Sequence, residues 1–222
     1  MDSGYTKGVA LIFEGDTEKV FYLSLLRFFC AKHHGFNLHK KSDATTGEIF
    51  YVLANDDSKV LIKSYVVGTV SQLTNSGAWF ASKCHGSYKG LEWTVILCYD
   101  TDEYMSSFSK FHEDDWKELR KNLQKNKAKH IIDMAASADI EDTMLLDSNS
   151  IFAFLNMPVC TIPSGSKGKR KMKSLFRMKG PGVAYHEGER AQPLIDALDF
   201  NVIISQSPLP FSDFEASFFP TE

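Results

Sequence analysis

Three groups of acidic residues stand directly after apolar runs, and together they could do chemistry that none does alone. Glu14 follows Val9 to Phe13, Asp100 and Asp102 follow Trp93 to Tyr99, and Glu141 with Asp142 follows His130 to Ala136. If these runs are strands of an open parallel sheet, their carboxyl ends share one edge, and that edge is where ligands bind. Crowded carboxylates repel unless a cation sits among them, and carboxylate oxygens are the ligands that hard ions such as magnesium or manganese prefer. The spacing therefore suggests a divalent-metal site drawn from Glu14, Asp100, Asp102, Glu141 and Asp142. Any one of these acids is equally well a solvated loop residue or a helix cap. Asp100-Thr101-Asp102 argues against that reading for the set, because it puts two carboxylates on one turn after a buried run.

A second constellation is basic. Lys167, Lys169, Arg170, Lys171, Lys173, Arg177 and Lys179 follow one another with no acid between them. Such a local concentration of positive charge suits phosphate neutralisation beside an acidic metal site, and Phe176 and Tyr185 could stack on an unpaired base. A solvated charged surface, with both aromatics in packing, is the competing reading.

The elements that must position these groups alternate. Val9 to Phe13 reads as a strand, and the long apolar stretch Thr17 to His33 as a helix burying Val20, Phe21, Leu25, Leu26 and Phe29. Phe36 to Lys41 reads as a second strand. Between Thr46 and Ser82 the spacing of Ile49, Val52, Leu53, Val60 and Leu61 favours helices, although Ser64 to Val70 has strand-like β-branching. Trp93 to Tyr99 reads as a central parallel strand, Asp114 to Asn126 as a surface helix around Trp116, Leu119 and Leu123, and His130 to Ala136 as a buried strand. Ser137 to Asp139 then cap a helix through Ile140, Met144 and Leu145. Strands separated by helices indicate an α/β fold with a mainly parallel sheet and helices on both faces. We expect a catalytic core over residues 1–157 and a short basic C-terminal extension over 158–222 that packs on it.

Leu11-Ile12-Phe13-Glu14-Gly15-Asp16-Thr17-Glu18-Lys19 resembles the first motif of the Toprim domain, a strand ending in Glu-Gly before a helix, in the form found in the overcoming-lysogenization-defect nucleases and RloB-like proteins. Val95 to Asp102 resembles the Toprim Asp-x-Asp motif, and Ser137 to Asp142 the later Ser-to-Glu element of the nuclease branch. One departure is Asp16, which stands where that branch usually has a small or apolar residue or Glu. The resemblance implies a Rossmann-like Toprim core that binds magnesium or manganese and cleaves phosphodiester bonds in DNA or RNA, transfer RNA included. By the same resemblance Glu14 is a metal ligand or general acid/base, and Asp100 and Asp102 hold metal. Glu141 completes a second metal position with Ser137 or Asp142, and Lys169 or Lys173 is the catalytic lysine. It further implies an effector of bacterial anti-phage defence working beside a separate ATPase.

Other chemistries are less well served. The seven His residues include no HExxH or HxH pairing, and the Gly165-Ser166-Lys167-Gly168-Lys169 stretch has the wrong spacing for a phosphate-binding loop. A phosphatase of the haloacid-dehalogenase kind fits the two acids of Asp100-Thr101-Asp102 but meets Tyr104 where that family carries Thr or Val. A catalytically inactive binding or effector module is the non-enzymatic alternative. The chain has 222 residues, a formal net charge of -3 and 43% hydrophobic residues, which excludes a uniformly basic coat protein and a disordered chain. Cys30, Cys84, Cys98 and Cys160 are far apart and read as reduced thiols. Met1 to Lys7 do not read as a signal peptide, and no apolar run is long enough to span a bilayer, so we expect a cytoplasmic protein without membrane contact.

Overall fold

In the computed structural model residues 4–102 and 113–220 are described. Six strands form one sheet in the order β2-β3-β4-β1-β5-β6, with β1 at Lys7–Phe13, β2 at Asn37–Ser42, β3 at Ile49–Ala54, β4 at Lys59–Val66, β5 at Trp93–Asp100 and β6 at Ala128–Ala136. β1 pairs in parallel with both β4 and β5, and β5 in parallel with β6. β2 and β3 add an antiparallel edge. The sheet is thus mainly parallel, and the chain crosses from one side of β1 to the other between β4 and β5. That crossing makes the carboxyl end of β1 the switch point of the fold.

β1 alternates between two apolar layers because successive side chains of a strand point to opposite faces. Val9, Leu11 and Phe13 meet helix α1 (Asp16–Lys32), whose Phe21, Leu25, Leu26 and Phe29 are buried. Ala10 and Ile12 meet the other layer, where Phe80, Cys84 and Trp93 pack with Trp116, Leu119 and Leu123. That layer is built from the short α2 (Asn75–Trp79), the π-helical turn Phe80–His85 and α3 (Glu113–Lys125). Each fully buried Phe or Leu stabilises by about 1.5–3 kcal/mol, so α1 is held by its packing more than by helix propensity.

Beyond β6 the chain is helical: α4 (Ile140–Met144), α5 (Ser148–Phe154), α6 (Gly168–Lys179), α7 (Gln192–Ile195), α8 (Phe200–Gln206) and α9 (Phe211–Phe218). Met172, Leu175, Ile195, Ile203 and Phe214 from these helices join the same apolar layer as α1.

Two elements differ from the sequence-based expectation. Residues expected to be helical between Thr46 and Ser82 form the hairpin β3–β4 as far as Val66, and short helices only afterwards. Asn55 makes the turn: its side-chain oxygen accepts from the backbone N–H of Asp57 at 3.1 Å and of Ser58 at 2.7 Å. Such an Asx turn offers the backbone an alternative to continuing a helix. β6, expected to be buried, is the sheet edge opposite β2, and only its Ala128, Met134 and Ala136 are buried. Cys84 and Cys98 are buried free thiols, whereas Cys30 and Cys160 are half-buried. No helix among the described residues is long and apolar enough to cross a membrane.

Candidate functional site

The first residue past β1 is Glu14, whose N–H donates to the Cys98 carbonyl at 2.9 Å and whose Oε2 accepts from the Asp100 N–H at 3.0 Å. The two strand ends are thereby locked side by side. Gly15 precedes α1, and a side chain there would press on the Glu18 carboxylate, its Cβ falling 2.9 Å from Oε2. Glu18 folds back over the helix start and is only 6% exposed.

Asp100 ends β5, and its neighbours knit β5 to β6. The Thr101 N–H donates to the Ala136 carbonyl at 2.9 Å and the Asp102 N–H to the Ala138 carbonyl at 3.0 Å. Asp102 and Ala138 both carry positive φ, 64° and 62°. Left-handed backbone at a non-glycine residue is uncommon and costs energy, particularly at Ala. Asp139 caps α4, accepting from the Asp142 N–H at 3.1 Å, and so aims Glu141 inward, where it is 1% exposed.

Glu14, Glu18, Asp100 and Glu141 line one pocket of about 400 Å³ together with Lys169 and Glu187. Burial pushes the Glu18 carboxyl up to about 7, with the charges of Glu14 and Glu141 adding to it. Burial likewise pushes Glu141 up to about 7, Asp139 adding while Lys169 and the Tyr185 hydroxyl, 2.9 Å from its Oε1, oppose. Asp100 is held well above the usual carboxylate range by burial and then by Glu18, Glu14 and Glu141. Its Oδ1 is shut off from solvent without a hydrogen-bond partner among the described residues. Burial works against the charge on Lys169, yet its bond to Glu187 and the field of Glu141 and Asp100 outweigh that and hold the ammonium above its usual value.

These donors suit a hard cation in charge and in atom type. Among the described residues, however, no group of three or more His, Cys, Asp or Glu side chains closes around a single point as metal ligands do.

Of the acids singled out in the sequence, Glu14, Asp100 and Glu141 meet in this pocket, and Asp102 and Asp142 do not line it. Asp102 forms an ion pair with Lys167. Asp142 accepts from the Gly168 N–H at 2.7 Å and pairs with Lys171 at 2.7 Å. Ser137 does not line the pocket either.

The basic segment is α6, and acids of the same chain engage much of it. Lys169 and Lys173 both hold Glu187, at 2.9 and 2.8 Å, and Lys179 donates to the Asn156 carbonyl. Of the two candidate catalytic lysines only Lys169 lines the pocket. Arg170 and Arg177 are exposed. Phe176 and Tyr185 are buried against one another, ring centroids 5.5 Å apart at 65°, and neither lines the acidic pocket.

Glu18, Glu187 and the Tyr185 hydroxyl were not foreseen from the sequence. Glu18 had a signal: it precedes Phe21, Tyr22 and Leu25 by three, four and seven positions, which puts an acid on the buried face of its helix.

No protein-family model and no curated protein matches the chain. Among solved structures it is similar to a futalosine hydrolase mutant of Helicobacter pylori strain 26695, at 8% identity over 87% of this chain and 85% of that one, with a TM-score of 0.26. It is similar to Helicobacter pylori MTAN at 10% identity, over 90% and 100% of the two chains, TM-score 0.27. A third is the 5'-methylthioadenosine/S-adenosyl homocysteine nucleosidase of Campylobacter jejuni, at 13% identity over 96% and 100%, TM-score 0.27. At these TM-scores no activity carries over. The expectation of a nucleic-acid nuclease in anti-phage defence is nonetheless corrected. The basic segment that was to bind nucleic acid is largely paired within the chain, Lys167 with Asp102, Lys169 and Lys173 with Glu187, and Lys171 with Asp142.

Proposed function

We propose that the chain is a hydrolase whose acidic pocket takes up a divalent cation, magnesium or manganese, and acts on a small polar molecule. The observation that carries this reading is the solvent-excluded Oδ1 of Asp100, unpartnered among the described residues, in a pocket that five other carboxylates also line. A buried polar atom without a partner is costly, and a cation would both satisfy it and relieve the mutual repulsion. Asp100 with Glu14 beside it would hold the ion, one or two carboxylates sufficing for a cation that keeps several of its waters, and the bound ion would polarise a substrate oxygen or bound water. The Toprim resemblance supports the reading in the residues it shares with the pocket, Glu14, Asp100 and Glu141. Lys169 supplies a fixed positive charge at the rim of the acids, and Tyr185 orients Glu141. A pocket of about 400 Å³ admits a metabolite-sized substrate.

Titration calorimetry with magnesium and with manganese tests the cation. The parent should bind, and Asp100→Asn should bind about tenfold or more weakly, since the amide keeps the shape but not the charge. Chelator-treated Asp100→Asn should melt no lower than the chelator-treated parent. Absence of binding by either ion to the parent would sink the cation. Water-dependent release from a panel of nucleosides, nucleotides and acyl esters would then identify the bond.

A second reading needs no metal. Glu18 and Glu141 are both pushed to about 7, so near neutral pH one could give a proton while the other accepts one. Hydrolysis that persists undiminished in chelator would favour this pair over the cation.

A further inference from the structure

Tyr185, whose hydroxyl donates to Glu141, also lines a second cavity, of about 230 Å³, that shares no lining residue with the acidic pocket. Its walls include Phe154, Phe176, Tyr185, Pro193 and Leu194, and exposed Arg190 lines it as well. Phe154 and Phe176 sit 6.5 Å apart at 41°, and Phe176 meets Tyr185 at 65°, so three rings inclined to one another line the cavity. Such a wall favours a planar aromatic partner. Phe154 is 42% exposed, which leaves part of one lining ring uncovered.

Polar recognition in this cavity is one-sided. The Tyr185 hydroxyl is already given to Glu141. Arg190 has no ion pair or hydrogen bond among the described residues. Its guanidinium is a planar fork suited to a carboxylate. The volume falls below the range of about 300–1,000 Å³ typical of drug-sized ligands, which leaves room for one or two fused rings and not for a helix or an extended peptide.

We infer that this cavity binds a small planar aromatic anion, its ring against Phe154, Phe176 and Tyr185 and its acidic group on Arg190. The inference is independent of the hydrolase reading, because it concerns binding alone.

The test uses the full chain with indole-3-carboxylate and its uncharged isostere indole-3-carboxamide, followed by calorimetry and ligand-observed saturation-transfer NMR. The carboxylate should bind more tightly than the amide. Arg190→Gln should weaken the carboxylate by about fivefold, as loss of an exposed charge pair does, and leave the amide unchanged. Ala184→Trp, which fills the cavity from an exposed lining position, should abolish both. Equal binding of the two compounds to the parent, or an unchanged ratio in Arg190→Gln, would overturn the anionic class. Binding that survives Ala184→Trp would overturn the location. If that variant fails to fold by circular dichroism, Arg190→Gln, at an exposed position, decides by itself. Self-association of the parent that Phe154→Ser breaks and the carboxylate cannot compete with would mean that a second copy covers the cavity, and would likewise overturn the inference.

Discussion

At the residue scale the pocket is a store of protons. Glu18 and Glu141 bind theirs up to about 7, against a usual value of 4.5, and burial is the first cause for both. A group that holds its proton more tightly in the folded than in the unfolded chain lends stability that is fully present below the unfolded pKa. That stability is lost as pH rises through the folded pKa. Without divalent ions the melting temperature should therefore fall between about pH 5 and pH 8, and Glu18→Gln should flatten the fall. Melts in chelator across that range check it, and a parent whose stability rises with pH would refute the assignment. Glu14, Asp100 and Glu141 were legible because each follows an apolar run that ends at the sheet edge. Asp102 was not separable from Asp100 by sequence, because the turn that directs it to Lys167 depends on hydrogen bonds to Ala138, far along the chain.

At the element scale α6 is fastened to α4 by its first residues. The N–H groups of Gly168 and Lys169, unsatisfied at any helix start, donate to Asp142 at 2.7 Å and to Asp139 at 3.0 Å. Carboxylates at that end also meet the positive pole of the helix. Gly168 is required by closeness: a Cβ there would lie 2.2 Å from the Asp142 nitrogen and 2.6 Å from the Glu141 carbonyl carbon. Backbone cannot yield as a flexible side chain does, so Gly168→Ala should cost about 1–3 kcal/mol in urea unfolding and carry Lys169 out of the pocket. An alanine variant as stable as the parent would mean that the two helices are not held this closely. The sequence displayed the charges of this segment but not their partners, since Asp139, Asp142 and Glu187 are paired with it only by the fold. The hairpin of β3 and β4 was misread for a related reason. Its apolar spacing fits either period, and the deciding signal was the Asn55 turn, a local hydrogen-bonding preference rather than a hydrophobic pattern.

At the scale of the whole molecule the mainly parallel sheet and its two apolar layers were readable, since the runs at β1 and β5 are buried on both faces. The edges were less so. β2 is mostly exposed and carries Lys40 and Lys41, which discourages pairing with another chain. The pocket gathers Glu14 and Glu18 from near the start of the chain, Asp100 and Glu141 from its middle, and Lys169 and Glu187 from its last quarter. Contacts between residues so far apart in sequence close late, because the loop entropy must be overcome before they contribute. A refolding chain should accordingly regain helix and strand signals first and cation uptake only with its slowest phase, which stopped-flow circular dichroism and a metal-sensitive dye can time against one another. During synthesis the same ordering would leave the acids of the first two thirds of the chain without Lys169 for as long as α6 remains within the ribosome, so a nascent chain would pass through a stage in which its most repulsive region has no counter-charge of its own.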